Sequence, residues 1–187
     1  MKIILASDSK RDKDILDLTV MEYEILEHKK GKARSPRTKD FDRYVKNMAK
    51  RRTKDVIKKY KLKEGKVVGV HTMVVLHGKI LPRPETEEQV VENLKALSGK
   101  SHLILTGICV VNTKNNRAKT DVAKTVVKFF KLTDEEIDNY SKIDEWEATP
   151  AGYYLHGGGG IFIESIRGGY YNIMGLPLAK IKQMLKE

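Results

Sequence analysis

The 187-residue chain alternates compact apolar runs with stripes of apolar residues at helical spacing. Residues 2–6 form an apolar run of the kind that makes a buried strand. Ser9 stands where a helix cap belongs, with Asp12 at the third helical position and Ile15, Leu16 and Leu18 as the inward face. Residues 23–26 predict a second short strand. Across 40–60, Phe41, Tyr44, Val45, Met48, Arg52 and Val56 recur on one helical face. Arg52 interrupts that apolar stripe: either its stem snorkels or its charge points into a cleft.

Residues 67–76 are rich in β-branched side chains, with His71 and Thr72 in the middle. Thr86 and Gln89 have capping-box spacing ahead of a helix whose inward residues are Val90, Val91, Leu94 and Leu97. Residues 103–112 and 120–130 predict a hairpin around Lys114, Asn115 and Asn116. Thr133 and Glu136 cap another short helix, and Trp146 falls in a polar connection. Residues 161–166 and 171–174 predict the last two strands, paired around Gly168 and Gly169. Leu178, Ile181, Met184 and Leu185 line a closing helix that starts at Pro177. Strands alternating with helices, together with two hairpins, predict an α/β (mixed α+β) chain with a mixed sheet. The length suits one domain, 1–187, or two small lobes sharing a core.

Charge narrows the choice of partner. Thirty-six Lys and Arg stand against 25 Asp and Glu, a formal net charge of +11. Such an excess favours nucleotides, phosphates or nucleic acid, or serves solubility alone. The strongest run of one sign, 28–39, is either a solvated loop or a weak nucleic-acid arm. It lacks the interleaved aromatic residues that stack on bases. Cys109 is the only cysteine, so there is no internal disulfide, and its apolar setting predicts a buried thiol. No run approaches the ~20 apolar residues of a membrane span. No signal-peptide pattern opens the chain, and a cytoplasmic protein is expected.

Two stretches carry candidate chemistry. One is His156-Gly157-Gly158-Gly159-Gly160, which leads into an apolar strand. Such a run either lets backbone approach a ligand or merely makes a turn. The other is Ser7-Asp8-Ser9-Lys10-Arg11, a hydroxyl-rich turn between a strand and a basic helix start, the layout of an anion site.

These stretches, with several others in order, resemble the Maf proteins, nucleoside triphosphate pyrophosphatases that share a fold with the inosine triphosphatases. Residues 3–11 are similar to the family's opening ILASxSPRR, and Val68-Gly69-Val70-His71-Thr72-Met73-Val74-Val75 to its IGADTVVV. Residues 78–84 are similar to GxILGKP, and 97–107 to LSGRTHxVxTG. The closing 162–164 and 171–177 match as well. The resemblance runs nearly end to end. It implies a two-lobed fold with a central bent mixed sheet and a deep cleft. It also implies cleavage of a nucleoside triphosphate to the monophosphate and pyrophosphate, a divalent metal (magnesium or manganese), and a homodimer.

Ser7, Ser9, Arg11 and Thr72 match the family pattern; other polar positions depart from it. The aspartate of GADT, the presumed base or metal ligand, corresponds to His71. Arg52 and Arg83 stand for lysines, His156 for a glutamine, Thr149 for a lysine, Lys32 for a glutamate, Asp12 for an arginine and Lys10 for a proline. On an enzyme reading, Ser7, Ser9 and Arg11 cradle phosphates, Arg52 and Arg83 neutralise charge, Thr72 and His156 complete the substrate site, and His71 activates water. Arginine for lysine keeps the charge but changes its geometry. Losing the acids removes oxygen ligands that magnesium favours, which also permits a pseudoenzyme that holds nucleotides or another polyanion without cleaving them. His71 could join His156 or His102 around a softer metal, although scattered histidines are usually structural. Asp8 and Asp12 could hold a displaced metal, or Asp12 serves its helix N-terminus.

Overall fold

Ile3, Ile4, Leu5 and Ala6 are all buried because the strand they form, β1 (Ile3–Ala6), has a parallel neighbour on each side. In this computed structural model the described residues are 3–7, 9–28, 36, 39–147 and 149–186. Asp8, Lys32 and the basic run 28–39, apart from His28, Pro36 and Lys39, lie outside them. The neighbours of β1 are β2 (Tyr23–Leu26) and β3 (Lys66–Leu76). Parallel pairing requires crossovers, here α1 (Lys10–Asp17) and α2 (Phe41–Lys59).

β3 turns back on itself to pair antiparallel with β4 (Lys79–Leu81). The two-residue turn uses positive φ at both His77 and Gly78, the backbone that matches strand twist in a tight hairpin. α3 (Glu87–Leu97) follows, then β5 (Ser101–Asn112) and β6 (Arg117–Phe129), joined by the expected turn with Asn116 at positive φ. α4 (Asp134–Ser141) leads to β7 (Ile163–Gly168), antiparallel to β6, and α5 (Tyr170–Ile173) and α6 (Leu178–Lys186) close the chain. Among the described residues the sheet order is β2-β1-β3-β5-β6-β7, with β4 on β3, so the fold is the mixed α/β type.

The chain divides into two compact units. Unit 1 comprises Met1–His71, Thr106–Ala123 and Leu176–Glu187; unit 2 comprises Thr72–Leu105 and Lys124–Gly175. In unit 1, α2 approaches the sheet backbone to backbone. A Cβ on Gly107 would lie 2.2 Å from the Val45 carbonyl oxygen, and one on Gly69 2.6 Å from that of Ala49. This close approach buries Val45, Ala49, Thr53 and Val56, while Tyr44, Met48 and Arg52 are only half-buried. Thr53 tolerates burial because its hydroxyl donates to the Ala49 carbonyl at 3.0 Å. Cys109 packs beside Ala49 and Val111, and burial pushes its thiol pKa up.

In unit 2, α3 and α4 cover a core built around Leu94, Leu97, Phe129, Tyr153 and Phe162. Thr133 and Glu136 form a full capping box on α4. Thr86 caps α3, but the Gln89 side chain accepts from the Glu85 backbone N–H instead of closing a box. Trp146 is buried, not in a polar connection, because a 3-10 turn at Asp144–Trp146 lets its indole N–H donate to the Ser141 carbonyl. No helix among the described residues is long and apolar enough to cross a membrane.

The second expected hairpin is absent. Residues 170–173 form α5 instead of a strand. Asn172 is buried, and its amide N–H donates to the Ile104 carbonyl and the Thr125 hydroxyl, which a strand continuing from Gly169 would not satisfy. Leu18 is a second correction: it follows α1 and is 67% exposed.

Candidate functional site

The turn after β1 is folded on a carboxylate. Ser7 is buried; its hydroxyl donates to Asp12 at 2.5 Å and accepts from the Ser9 backbone N–H at 3.0 Å. Ser9 has the extended backbone of a helix cap, yet its side chain accepts no helix N–H. The cap expected of it is therefore not made, and its buried hydroxyl has no hydrogen-bond partner. Asp12 lies in the first turn of α1, where a negative charge complements the dipole. Arg11 is half-buried on the first turn of α1.

Strand register places this turn beside His71. Ala6 pairs with Gly69, so Ser7 leaves β1 alongside Val70, one residue before His71. This is the carboxyl end of β1, where parallel sheets commonly receive ligands. Arg52 reaches the same place from α2, its guanidinium donating to the Val70 carbonyl at 2.9 Å. That bond holds the Arg52 head at β3.

His71 is 8% exposed and lies edge-on to Tyr44, ring centroids 5.7 Å apart. Its Nδ1 is buried without a partner. Burial, then the positive charge of Arg52, then His28 hold its pKa down to about 3. The imidazole is therefore neutral at pH 7 and a much weaker proton acceptor than free imidazole. Tyr44 and His28 were missed as neighbours of His71. Tyr44 belongs to the sequence stripe of α2 only as an apolar residue, and His28 was indistinguishable from the basic run that it opens.

Thr72, Arg83 and His156 belong to unit 2. The Thr72 hydroxyl donates to the Gly175 carbonyl at 3.4 Å, and a Cβ on Gly175 would lie 3.0 Å from that hydroxyl oxygen. Arg83 is exposed, with no ion pair among the described residues, on a loop held by Asn93, whose amide donates to the Pro82 carbonyl at 2.8 Å. His156 is exposed between the rings of Tyr154 and Tyr170. Thr149 is buried between the Trp146 carbonyl and the Gly152 N–H.

The glycine run serves the fold. The Gly158 N–H donates to the Glu145 carboxylate at 2.7 Å, and a Cβ on Gly157 would lie 2.3 Å from that same carboxylate. A Cβ on Gly159 would strike the Tyr154 backbone, and one on Gly160 the Leu155 carbonyl. The close approach that glycine permits is to Glu145 and to the chain itself.

The family model for Maf-like proteins matches residues 2–187. The chain belongs to the Maf family. Among its relatives is the dTTP/UTP pyrophosphatase of Clostridium novyi (strain NT), 38% identical over 97% of this chain and 94% of the relative. Another is the dTTP/UTP pyrophosphatase of Clostridium botulinum (strain Alaska E43 / Type E3), also 38% identical, over 100% of this chain and 99% of the relative. The reaction of the Maf family is hydrolysis of a nucleoside triphosphate to the monophosphate and pyrophosphate, generally with a divalent metal. Among the described residues no three His, Cys, Asp or Glu side chains come together as a metal site. Neutral His71 itself offers no oxygen ligand to magnesium, which binds through carboxylate and phosphate oxygens.

Proposed function

We propose that this protein hydrolyses a pyrimidine nucleoside triphosphate of the UTP and dTTP type to the monophosphate and pyrophosphate. The observation that carries the reading is the register of β1 on β3, which supports a phosphate site made from the Ser7–Ser9–Arg11 turn and the Arg52–His71 pair. The pyrimidine preference rests on the relatives' names. Ser9 offers an unpartnered hydroxyl to a phosphate oxygen, and the α1 N-terminus and Arg11 complement its charge. Arg52, already held by Val70, needs no reorganisation to stabilise charge on the transferring phosphoryl group. The family resemblance also assigns substrate contact to Thr72, Arg83 and His156.

Neutral His71 orients the attacking water. Its depressed pKa makes it a weak general base, and electrostatic positioning supplies most of the acceleration. Any magnesium or manganese arrives on the triphosphate. The protein works in the cytoplasm and, as the family resemblance implies, as a homodimer; light scattering would test the assembly.

The decisive experiment is pyrophosphate release from UTP, dTTP, CTP and ATP, with nucleotide binding measured on the same samples. Turnover of UTP and dTTP ahead of the others is expected. Binding without release would overturn hydrolysis and leave a nucleotide-holding Maf protein.

A further inference from the structure

Positive charge is unevenly divided between the units. Unit 1 carries 27 Lys and Arg against 13 Asp and Glu, and unit 2 nine against 12, so the whole positive excess belongs to unit 1. α2 concentrates it, with eight Lys and Arg against Asp42 and Asp55.

The placement around α2 is one-sided. Val45, Ala49, Thr53 and Val56 face the sheet. At 3.6 residues per turn, the opposite arc of about 140° carries Arg43, Lys46, Lys50, Arg51, Lys54 and Lys58, and no acid. This row is about 22 Å long at 1.5 Å per residue. All but the half-buried Lys46 are exposed. Arg51 has one long ion pair, 4.0 Å to Asp55, and Lys50, Lys54 and Lys58 have none among the described residues. Arg52 lies off this arc, at the Val70 carbonyl.

We infer that the outer face of α2 binds the phosphate backbone of nucleic acid, independently of sequence and of nucleotide hydrolysis. A protein partner would require an apolar centre within the interface, whereas the one apolar residue on this arc, Ile57, is half-buried against the core. A membrane surface would require an apolar face beside the charge. A polyphosphate backbone requires only a row of cations, which release condensed counterions on binding. Without base-stacking aromatic residues on the arc, the face cannot select sequence.

The test is fluorescence anisotropy of the full chain with a labelled 24-base-pair duplex of random sequence, in excess UTP to occupy the nucleotide site. Expected is salt-sensitive binding with a log–log slope of about −4 to −5, the value for about five phosphates neutralised. Lys50→Glu/Lys54→Glu/Lys58→Glu should lower affinity at least tenfold and flatten the slope, with pyrophosphate release unchanged. The corresponding Lys→Gln triple should show a smaller loss in the same direction, which separates charge from any folding defect. No binding by the wild type at 50 mM salt would overturn the inference, as would unaltered binding by both triple variants. Equal or tighter binding to polyglutamate of matched charge would overturn nucleic acid in favour of an acidic protein.

Discussion

Replacing His102 by glutamine tests how unit 2 tolerates acid. His102 is 2% exposed; its Nε2 lies 2.9 Å from the Tyr153 hydroxyl, and its ring is edge-on to Phe129. Its Nδ1 is buried without a partner, so a second proton there would find no acceptor. Burial lowers its pKa from 6.5 to about 4. The unfolded chain therefore binds this proton more readily than the folded one. The stability that His102 contributes is complete above pH 6.5 and is lost as pH falls from 6.5 toward 4. At 1.36 kcal/mol per pKa unit, the loss is about 2 kcal/mol at pH 5 and about 3 kcal/mol once the folded protein is also protonated. Glutamine can still meet the Tyr153 hydroxyl and does not titrate. Urea unfolding at pH 7.5 and pH 5.0, followed by the single tryptophan, Trp146, reports on unit 2 because Trp146 lies in its core. The variant should be less stable at pH 7.5, having lost its aromatic contacts, but should lose about 2 kcal/mol less than the wild type on acidification. Equal losses in the two proteins would refute the reasoning.

On the correspondence proposed for His71, His71→Asp puts an acid beside Arg52 and should raise metal-dependent pyrophosphate release by about tenfold or more; unchanged turnover would count against the inherited mechanism. Arg83→Ala should weaken triphosphate binding about tenfold in calorimetry, the value of one charged phosphate contact, and an unaltered Kd would remove Arg83 from the site. Gly107→Ala sets a Cβ against the Val45 backbone and should cost about 3 kcal/mol in urea unfolding, while Gly78→Ala, where a Cβ meets nothing within 4 Å, should cost less.

Elements with strong local signals were legible in the chain. α2 and α6 carry long periodic stripes, α4 has its complete capping box, and the turn near Asn116 has the right residues. Features set by distant partners were not. Residues 170–173 are helical because Asn172 answers to Ile104 and Thr125, far away in sequence. The glycine run resembled a ligand loop because Glu145, its actual partner, precedes it with no recognisable spacing. Ala49 and Thr53 escaped the α2 stripe because a small residue and a hydroxyl are buried there by backbone contact with the sheet, which hydrophobicity does not encode. The correspondence of His71 with the family's aspartate rests on motif order alone. Its depressed basicity was not legible, because that depends on burial and on the charges of Arg52 and His28.

The seating of α2 on Gly69 and Gly107 works as a keyway. Most helices rest on a sheet through side chains that can repack and let the rod roll. Here the main chain of the helix meets the main chain of the strands, and the azimuth is set. One rotation therefore indexes two outward tasks at once: Arg52 turned to the Val70 carbonyl beside the end of β1, and the lysine row turned to solvent. A residue inserted into α2 between Ala49 and Arg52 would turn everything beyond it by about 100°, misaligning the guanidinium and breaking the cationic row in the same step.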